Sequence, residues 1–400
     1  LRGAGHRLAP RERGHVTMRI GFLVSHPIQY YAPIFRALAR QCDLTVYFAH
    51  RQTAEQQARA GFGVAFDWDV DILSGYESRF LTNRAKVPST DEFWGCNTPE
   101  IAAEISRGRY DAFVVPGWAL WSYWQAVIAC RRAGVPVLVR GDSQLAGQRR
   151  SWIRLAKAPV FSSMLRAFDG YLYVGQRNRE YLLHHGARPD RLFFSPHCVD
   201  NDSFAEASRT TRAAHLQRRK AGGSVPKVLF AGKLIAKKRP LDALRAIVAL
   251  RATGLPVEAA FAGSGELQSE LEQIAQGAGG PVEFMGFVNQ SRMPEVYASA
   301  DVIVLPSEGS ETWGLVVNEA MACGVPAVVS DAVGCGPDLV VPGRTGAVFP
   351  LADVDGLARA LRDVLAFDPA ATGRFVSAQI ARYAPTHTAD RKSTRLNSSH

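Results

Sequence analysis

The chain has 400 residues, 47% of them hydrophobic, and a formal net charge of +10. This length and composition predict two or three domains with sizeable cores, and no apolar run approaches the roughly 20 residues that span a bilayer. Half of the net charge lies at the ends, because residues 1–17 and 390–400 are basic and the rest holds 40 basic and 35 acidic residues. We expect both ends to be non-native tails, with Met18 as the true start. The remaining charge is modest and does not support nucleic-acid binding.

The cysteines form no CxxC pair and no regular spacing. We therefore expect them to be small core residues in a reduced, cytoplasmic compartment, and we predict no metal site. The six positions are Cys42, Cys96, Cys130, Cys198, Cys323 and Cys335.

The first half of the chain alternates short apolar strands with helical patterns. Fully apolar strands that are separated by helices favour a parallel sheet covered on both faces, and we predict a domain over 18–200. The predicted strands are 19–24, 44–48, 111–115, 135–139, 170–174 and 192–194, with helices at 34–40, 121–133 and 177–185.

The second half repeats this alternation and predicts a second domain over 225–389. Between the halves, 200–224 is polar and basic with a Gly-Gly pair, which is typical of a linker. The fold class is therefore α/β, with two doubly wound parallel sheets whose strand ends face one cleft. Predicted strands lie at 228–230, 257–261, 282–285, 302–305 and 327–330, and predicted helices at 241–251, 266–276, 293–299 and 314–322.

The most informative stretch, Val302–Phe349, contains two glutamates with seven residues between them. Glu311 lies in a Gly/Ser-rich loop after an apolar strand, and Glu319 lies within the following predicted helix, one turn beyond Leu315 on the same face. The N-terminus of this helix offers unpaired N–H groups to an anion. Two carboxylates flanking an anion site suit a phosphate that carries a sugar at each end, as a sugar nucleotide does.

This pattern resembles the retaining glycosyltransferases with the GT-B fold whose signature is Glu-x7-Glu, known as glycosyl transferases group 1 or family 4. Further motifs follow in the family's order, strongly over about 227–365 and more weakly over 18–200. They are Gly232-Lys-Leu with Lys238, Phe261-Ala-Gly-Ser-Gly, Gly286-Phe-Val, Ala320-Met-Ala-Cys-Gly-Val-Pro and Gly343-Arg-Thr-Gly.

The resemblance implies roles for these residues. Glu311 is expected to bond the donor sugar and Glu319 the ribose, while Lys233 and Lys238 hold the diphosphate. At Lys233 the family usually has Arg, and this replacement loses the bidentate fork. We expect backbone groups of Gly232, Gly314 and Leu315 to contact the same ligand. No cofactor is implied beyond the nucleotide-sugar, which is a co-substrate, and no metal is needed. Each carboxylate has a plainer alternative as a solvated charge, and Glu308 is a neighbouring carboxylate that could be mistaken for Glu311.

The first domain departs from the family's pattern. No histidine follows the predicted strand 111–115, and the segment that leaves this domain carries His197 and Cys198 where the family usually has Asn-Gly. Asp142, after the next strand, could orient or deprotonate the acceptor hydroxyl, or simply form a turn. His26 could face the cleft or be structural, and both interpretations stay open.

The segment 148–168 combines arginines with Trp and aliphatic residues and contains no acid before Asp169. Such a segment can lie on an anionic membrane surface, which would suit a lipid-linked acceptor, or it can form a cleft-lining helix pair.

The sequence therefore predicts a metal-independent, retaining glycosyltransferase that uses a UDP- or GDP-linked sugar. Its expected acceptor is a glycan or lipid-linked molecule in surface polysaccharide, lipopolysaccharide or glycolipid synthesis. Two alternatives stay open: a nucleotide-sugar epimerase or hydrolase on the same scaffold, and an inactive nucleotide-sugar-binding protein.

Overall fold

The computed structural model describes residues 17–52, 69–145 and 160–387. Nearly all of the predicted tails, and most of the basic segment 148–168, lie outside these ranges. Their expected properties therefore stay predictions.

Among the described residues, the first half forms a parallel sheet in the order β3-β2-β1-β4-β5-β6-β7. The predicted strands are confirmed, with shifts of one or two residues at their ends; β3 was missed because it alternates charged and half-buried residues. The strands are β1 (Arg19–Val24), β2 (Asp43–Phe48), β3 (Glu77–Phe80), β4 (Ala112–Val115), β5 (Val137–Gly141), β6 (Gly170–Tyr173) and β7 (Leu192–Phe194).

Helices cover this sheet, as the apolar strands required. All three predicted helices are present, and α2 is an additional one. They are α1 (Ala32–Ala39), α2 (Ile101–Gly108), α3 (Trp121–Ala133) and α4 (Gln176–His184), with a further helical stretch at 160–165.

The described part of the second half forms a parallel sheet in the order β10-β9-β8-β11-β12-β13. Both sheets thus place their first and fourth strands side by side, which creates a topological switch point where ligands of such sheets bind. The strands are β8 (Lys227–Ala231), β9 (Glu258–Ala262), β10 (Val282–Gly286), β11 (Val302–Leu305), β12 (Ala327–Ser330) and β13 (Gly346–Phe349).

The segment that was predicted as a linker is largely helical, and this helix was not predicted. Helix α5 (Asn201–Lys220) begins after Asp200, whose side chain accepts a hydrogen bond from Ser203 N. Phe204 is buried and packs near Tyr297, with ring centroids 6.4 Å apart. The polar composition reflects the helix's exposed face, while a few buried residues attach the helix to the second half.

The remaining helices surround the second sheet, and the last three of them in chain order were not predicted. They are α6 (Pro240–Ala252), α7 (Gln268–Gln276), α8 (Met293–Ala298), α9 (Leu315–Ala322), α10 (Gly336–Leu339), α11 (Val354–Leu365) and α12 (Pro369–Ala381).

The interiors follow the expected pattern of buried apolar strands. All six cysteines are buried and free, as predicted for small core residues. Within the described ranges, no helix is long and apolar enough to cross a bilayer.

Polar contacts join the two halves. The Asp338 carboxylate accepts hydrogen bonds from Gln176 N at the start of α4, at 3.0 and 3.2 Å. Asn318 Nδ2, on α9, donates to His197 O at 3.2 Å. The carboxyl ends of both sheets therefore face each other across a narrow cleft.

Candidate active site

Two neighbouring loops in the second half carry the predicted phosphate-binding residues. They follow β8 and β11, which pair in parallel at the switch point. The loop after β8 contains Lys233 and a 3-10 turn, Ala236–Lys238. Glu308 N donates to Lys237 O at 3.0 Å, so the loops are tied to each other.

Lys238 and Glu311 form an ion pair between these loops, and both side chains are more than four-fifths buried. The backbone of Glu311 is also held, because its carbonyl accepts from Gly334 N at 3.0 Å and from Gln144 Nε2 at 3.2 Å. The pair thus places one fixed cation and one fixed carboxylate side by side at the cleft.

The neighbouring charges are more exposed. Glu308 lies 3.9 Å from Arg239 Nη1, and its side chain is 36% exposed; Lys237 is also exposed. The structure therefore favours Glu311 over Glu308, and Lys238 over Lys237, as groups that are held in position at the cleft.

A glycine-rich turn after β9 supports the Lys233 loop. A Cβ on Gly263 would collide with Gly232 O, and one on Gly265 would approach Leu234 O at 2.5 Å. Leu234 N donates to Ser264 O at 2.9 Å. These glycines let the two loops meet backbone to backbone.

Lys233 is half-buried beside two other lysines. Burial lowers the pKa of its ammonium group, and the charges of Lys237 and Lys238 lower that pKa further. The positive charges of Lys233, Lys237 and Lys238 repel one another, and an anion that binds between them relieves this repulsion. These three lysines are called the cation cluster.

Helix α9 begins at this cation cluster. Its N-cap is Gly314, with φ of +99°, and no side chain caps the helix. A Cβ on Gly314 would lie 2.7 Å from the Leu305 side chain, so glycine fits both the backbone and the space. The first turn, from Leu315, can offer N–H groups and the positive end of the helix dipole to an anion.

Glu319 lies one turn further along α9 and is only 2% exposed. Its carboxylate accepts from Tyr297 OH at 2.6 Å and Gln290 Nε2 at 3.0 Å. Burial raises the pKa of Glu319, although hydrogen bonds from Gln290, Tyr297 and Tyr30 oppose the rise.

A cavity of about 300 Å³ extends from Glu319 to Lys233 between the two halves. Gln29 of the first domain donates from Nε2 to Gln290 Oε1 at 3.0 Å, so a chain of hydrogen bonds joins the domains at Glu319. The cavity has apolar walls, including Val288 and Val316, which suits a flat base and its ribose.

Asp142 lies at the end of β5 and faces the Glu311 loop. Its Oδ2 accepts from Thr312 Oγ1 at 2.7 Å and lies 3.9 Å from His197 Nε2. Burial raises the pKa of Asp142, but His197, Thr312 and Arg140 together outweigh this effect and lower that pKa to about 2. Asp142 is therefore ionised at neutral pH and is a weak base.

A second cavity of about 310 Å³ lies on the first-domain side of the cleft. Arg140, Asp142 and His197 line it together with Leu315 of α9 and several aromatic residues. Burial and the nearby Arg140 lower the pKa of His197. This cavity therefore reaches from the first domain to the phosphate end of α9.

His26 is not among the residues that line the two cavities, although its neighbours Ser25 and Ile28 line the first-domain cavity. Its Nδ1 is 3.0 Å from Ser25 Oγ, and burial with the neighbouring His50 lowers its pKa to about 4, against an opposing effect of Asp91. Both interpretations of His26 therefore stay predictions.

Several side chains at the cleft were not selected from the sequence. Gln290 and Gln29 lie after the ends of predicted strands, and this position could have marked them as candidate site residues. No feature of the sequence marked Tyr297 or Thr312. Among the described residues, no group of three His, Cys, Asp or Glu side chains could hold a metal ion.

A family model described as glycosyl transferases group 1 matches residues 225–366. The sulfoquinovosyl transferase of Arabidopsis thaliana is 35% identical over 279 residues, which cover 67% of this chain and 52% of that protein. A GDP-mannose-dependent phosphatidylinositol monomannoside mannosyltransferase of Mycolicibacterium smegmatis is 30% identical, covering 68% of this chain and 72% of its own. The match thus spans about half the length of the plant relative.

Solved structures show the same fold at lower identity. The Anabaena protein HepE in complex with UDP and glucose aligns with a TM-score of 0.67 and 18% identity, covering 96% of this chain and all of that one. The apo form of the lipopolysaccharide outer core galactosyltransferase WaaB gives a TM-score of 0.68 at 14% identity, with 96% of this chain and all of that one covered. These neighbours confirm the predicted GT-B fold.

Proposed function

Because the chain belongs to the glycosyl transferases group 1 family, we propose that it is a retaining glycosyltransferase that needs no metal ion. It moves a sugar from a nucleotide-sugar to a glycan or lipid-linked acceptor. The observation that carries this proposal is the buried pair of Lys238 and Glu311 beside the uncapped start of α9.

The lysines of the cation cluster stabilise the leaving group. As the bond between the anomeric carbon and the β-phosphate oxygen breaks, negative charge grows on the diphosphate. Lys233, Lys238 and the α9 N–H groups stabilise that charge more in the transition state than in the ground state.

Glu311 serves the sugar. Its carboxylate accepts hydrogen bonds from donor sugar hydroxyls, and its negative charge stabilises the positive charge that develops at the anomeric carbon. In the structure the Glu311 carboxylate is paired with Lys238. Arrival of the diphosphate gives Lys238 another anion and releases Glu311 to the sugar.

Glu319 serves the ribose of the donor. In the structure it holds Gln290 and Tyr297, and ribose hydroxyls can replace the Gln290 bond. Since Gln290 also accepts a hydrogen bond from Gln29 of the first domain, nucleotide binding is coupled to this contact between the domains.

The acceptor hydroxyl attacks from the same side on which the diphosphate leaves. A bond forms between its oxygen and the anomeric carbon, and its proton passes to the departing phosphate oxygen. The nucleoside diphosphate is released and the anomeric configuration is retained. Asp142, which is ionised with a pKa of about 2, orients the hydroxyl rather than removing its proton.

The nucleotide of the donor is UDP or GDP. Relatives named for GDP-mannose and sulfoquinovose, and a neighbour bound to UDP, leave both open. We place the acceptor among surface polysaccharides, lipopolysaccharides and glycolipids, at the cytoplasmic face of a membrane that residues 148–168 could contact.

Release of free nucleotide from UDP-, GDP- and ADP-sugars, with and without bacterial glycolipid extract, tests the proposal. We expect acceptor-dependent release from one donor, unchanged after EDTA treatment, and a product whose anomeric configuration by NMR matches the donor. Inversion, or loss of activity with EDTA that added metal restores, would refute the retaining or metal-free part.

Other outcomes identify the alternatives. Release without acceptor would favour a hydrolase, and a changed sugar with intact nucleotide an epimerase. Binding of one nucleotide-sugar without turnover would favour an inactive binding protein, which the missing histidine after β4 also suggests.

A further inference from the structure

The loop that carries Glu311 is bound by a side chain from the other half of the chain. Gln144 lies shortly after β5 in the first half, and only 5% of it is exposed to solvent. Its Nε2 donates to Gly309 O at 2.8 Å, to Glu311 O at 3.2 Å and to Ala332 O at 3.4 Å. A primary amide has one NH₂ group, so three carbonyl oxygens of the second half converge on this single donor group.

Arg177 fixes the orientation of the Gln144 amide. Its Nη1 lies 3.5 Å from Gln144 Oε1 and donates to Ala332 O at 3.2 Å. A bond from Nη2 to Asp331 O holds the guanidinium in the same place. With the amide turned over, Oε1 would face three carbonyl oxygens and Nε2 would face a cation, and both arrangements are repulsive. The donor group of Gln144 is therefore directed at the Glu311 loop.

The backbone beside Gln144 is anchored in the first half. Asn178, on α4, is 4% exposed and donates from Nδ2 to Ser143 O at 2.9 Å. Its Oδ1 accepts from Val174 N, just after β6, at 3.2 Å. The position of the Gln144 amide therefore follows from the sheet of the first half.

The Glu311 loop depends on such contacts because residues 306–314 form no helix or strand. From its own half, Gly334 N donates to Glu311 O at 3.0 Å. A Cβ on Gly334 would collide with Thr312 O, so the two segments are in close contact. The Glu311 carbonyl thus lies between Gly334 N of the second half and Gln144 Nε2 of the first half.

We propose that Gln144 is a positioning residue for Glu311, which it holds by binding the carbonyl oxygens of Gly309 and Glu311. The inference rests on the proposed function, in which Lys238 leaves the Glu311 carboxylate for the diphosphate. Glu311 then has no ion-pair partner, and its backbone has to keep the carboxylate in place for the donor sugar. A displacement of about 1 Å at a reacting centre costs on the order of 10²-fold in rate.

Gln176 offers a matched control. It also belongs to the first half, and its Nε2 donates to a carbonyl oxygen of the second half, Pro337 O, at 2.9 Å. Gln176→Met therefore removes one glutamine bond between the halves and leaves the contacts of the Glu311 loop intact.

Steady-state kinetics compare Gln144→Met, Gln144→Glu and Gln176→Met with the wild type. The two substitutions at Gln144 share the loss of the donor group and differ in charge. We expect both to lower kcat by about tenfold, as the loss of one buried hydrogen bond does. Calorimetric affinity for UDP or GDP should stay unchanged, and Gln176→Met should keep the wild-type kcat.

A double-mutant cycle shows whether Gln144 acts through Glu311. In the Glu311→Gln background the carboxylate charge is already absent, so adding Gln144→Met should lower turnover by less than about twofold further. A general effect on folding, or on the contact between the halves, would lower turnover by the same factor in both backgrounds.

Hydrogen exchange measures the position of the loop without any turnover. Peptides that cover 306–314 should take up deuterium faster in Gln144→Met than in the wild type, because the loop opens more often. The same peptides should exchange at the wild-type rate in Gln176→Met.

Unchanged exchange in Gln144→Met, an equal loss of kcat in Gln176→Met, or equal factors in the two Glu311 backgrounds would each overturn the inference. Weaker nucleotide binding with a normal kcat would assign Gln144 to donor binding and would also overturn it. If the wild type transferred no sugar while exchange still responded to Gln144→Met, the result would count against the proposed function and not against the contact with the loop.

Discussion

The proposed donor side and the proposed acceptor side of the cleft are built differently. On the proposed donor side, Lys238, Glu311 and Glu319 come from two adjacent loops and one helix; Lys238 pairs with Glu311, and Glu319 bonds Gln290 and Tyr297. On the acceptor side, Arg140, Tyr31 and His197 come from three separate segments. The proposed donor side therefore lies mainly on the loops after two neighbouring strands of one sheet, whereas the proposed acceptor side is assembled from three segments of the first half.

This difference matches what each side has to recognise. A nucleotide diphosphate offers the same charges in every donor, so a fixed arrangement of cations and a helix N-terminus can serve it. Acceptors vary in chemistry, and a cavity lined from several segments can change one wall without disturbing the others.

Glu311→Gln should sharpen the comparison most, because it affects chemistry on the donor side alone. Loss of the carboxylate charge should lower turnover by about 10²–10³-fold, as for removal of one transition-state contact, with little change in nucleotide affinity. Steady-state kinetics and calorimetry measure the two quantities. Glu308→Gln is the matched control and should remain active; similar losses in both variants would contradict the assignment of Glu311.

Asp338→Asn tests the contact between the two halves that the Asp338 carboxylate makes with Gln176 N. Burial raises the pKa of Asp338 to about 6, against the hydrogen bonds from Gln176 and Tyr383. Because this pKa exceeds that of an unfolded aspartate, the protonated form stabilises the fold below about pH 4. That contribution is lost as the pH rises through about 6.

The Asp338→Asn variant does not titrate there. Between pH 4 and pH 7.5, the free energy of unfolding of the variant should therefore rise relative to that of the wild type by an amount on the order of 2 kcal/mol. Urea unfolding at the two pH values provides the measurement. A constant difference would show that Asp338 does not couple this contact to pH.

Lys238→Ala tests whether the cation cluster binds the diphosphate. One lost charge-assisted hydrogen bond should weaken nucleoside diphosphate binding by about tenfold. Lys237→Ala removes an exposed neighbour and should bind normally. If both variants retain full affinity by calorimetry, the diphosphate lies elsewhere.

Asp142→Asn should have the smallest effect, confined to the acceptor side. We expect acceptor-dependent turnover to fall about severalfold, since an orienting contact is weakened while Thr312 can still donate to the amide oxygen. The pH–rate profile between pH 5 and 8 should keep its shape, because the pKa of Asp142 is about 2. A profile that loses its acidic limb would show that Asp142 acts as the general base.

The Glu311 and Glu319 part of the proposed donor side could be predicted from the sequence because these two residues are close along the chain. The spacing of Glu311 and Glu319 depends on a strand, a loop and one helical turn, which local patterns determine. The glycines near Lys233 were weaker signals. Their role is a close approach between the loops after β8 and β9, which neighbouring strands bring together.

The acceptor side was harder to predict for a physical reason. The sequence showed Arg140 only as a polar residue after an apolar strand, and it gave no sign that Ser195, Pro196 and Tyr31 would enclose the guanidinium. It also suggested His26, whose position and lowered pKa follow from burial beside His50 and Ser25. Helix α5 was missed because its polar face resembles a linker.

By itself the sequence determined the two-sheet α/β architecture and the donor motif, since apolar periodicity, turns and short spacings act locally. Only the tertiary structure decided which polar groups meet across the cleft: the pairing of Lys238 with Glu311, the bridge from Gln29 through Gln290 to Glu319, and the enclosure of Arg140. Such contacts join segments far apart in the chain, and their energies depend on burial and distance that no local pattern specifies.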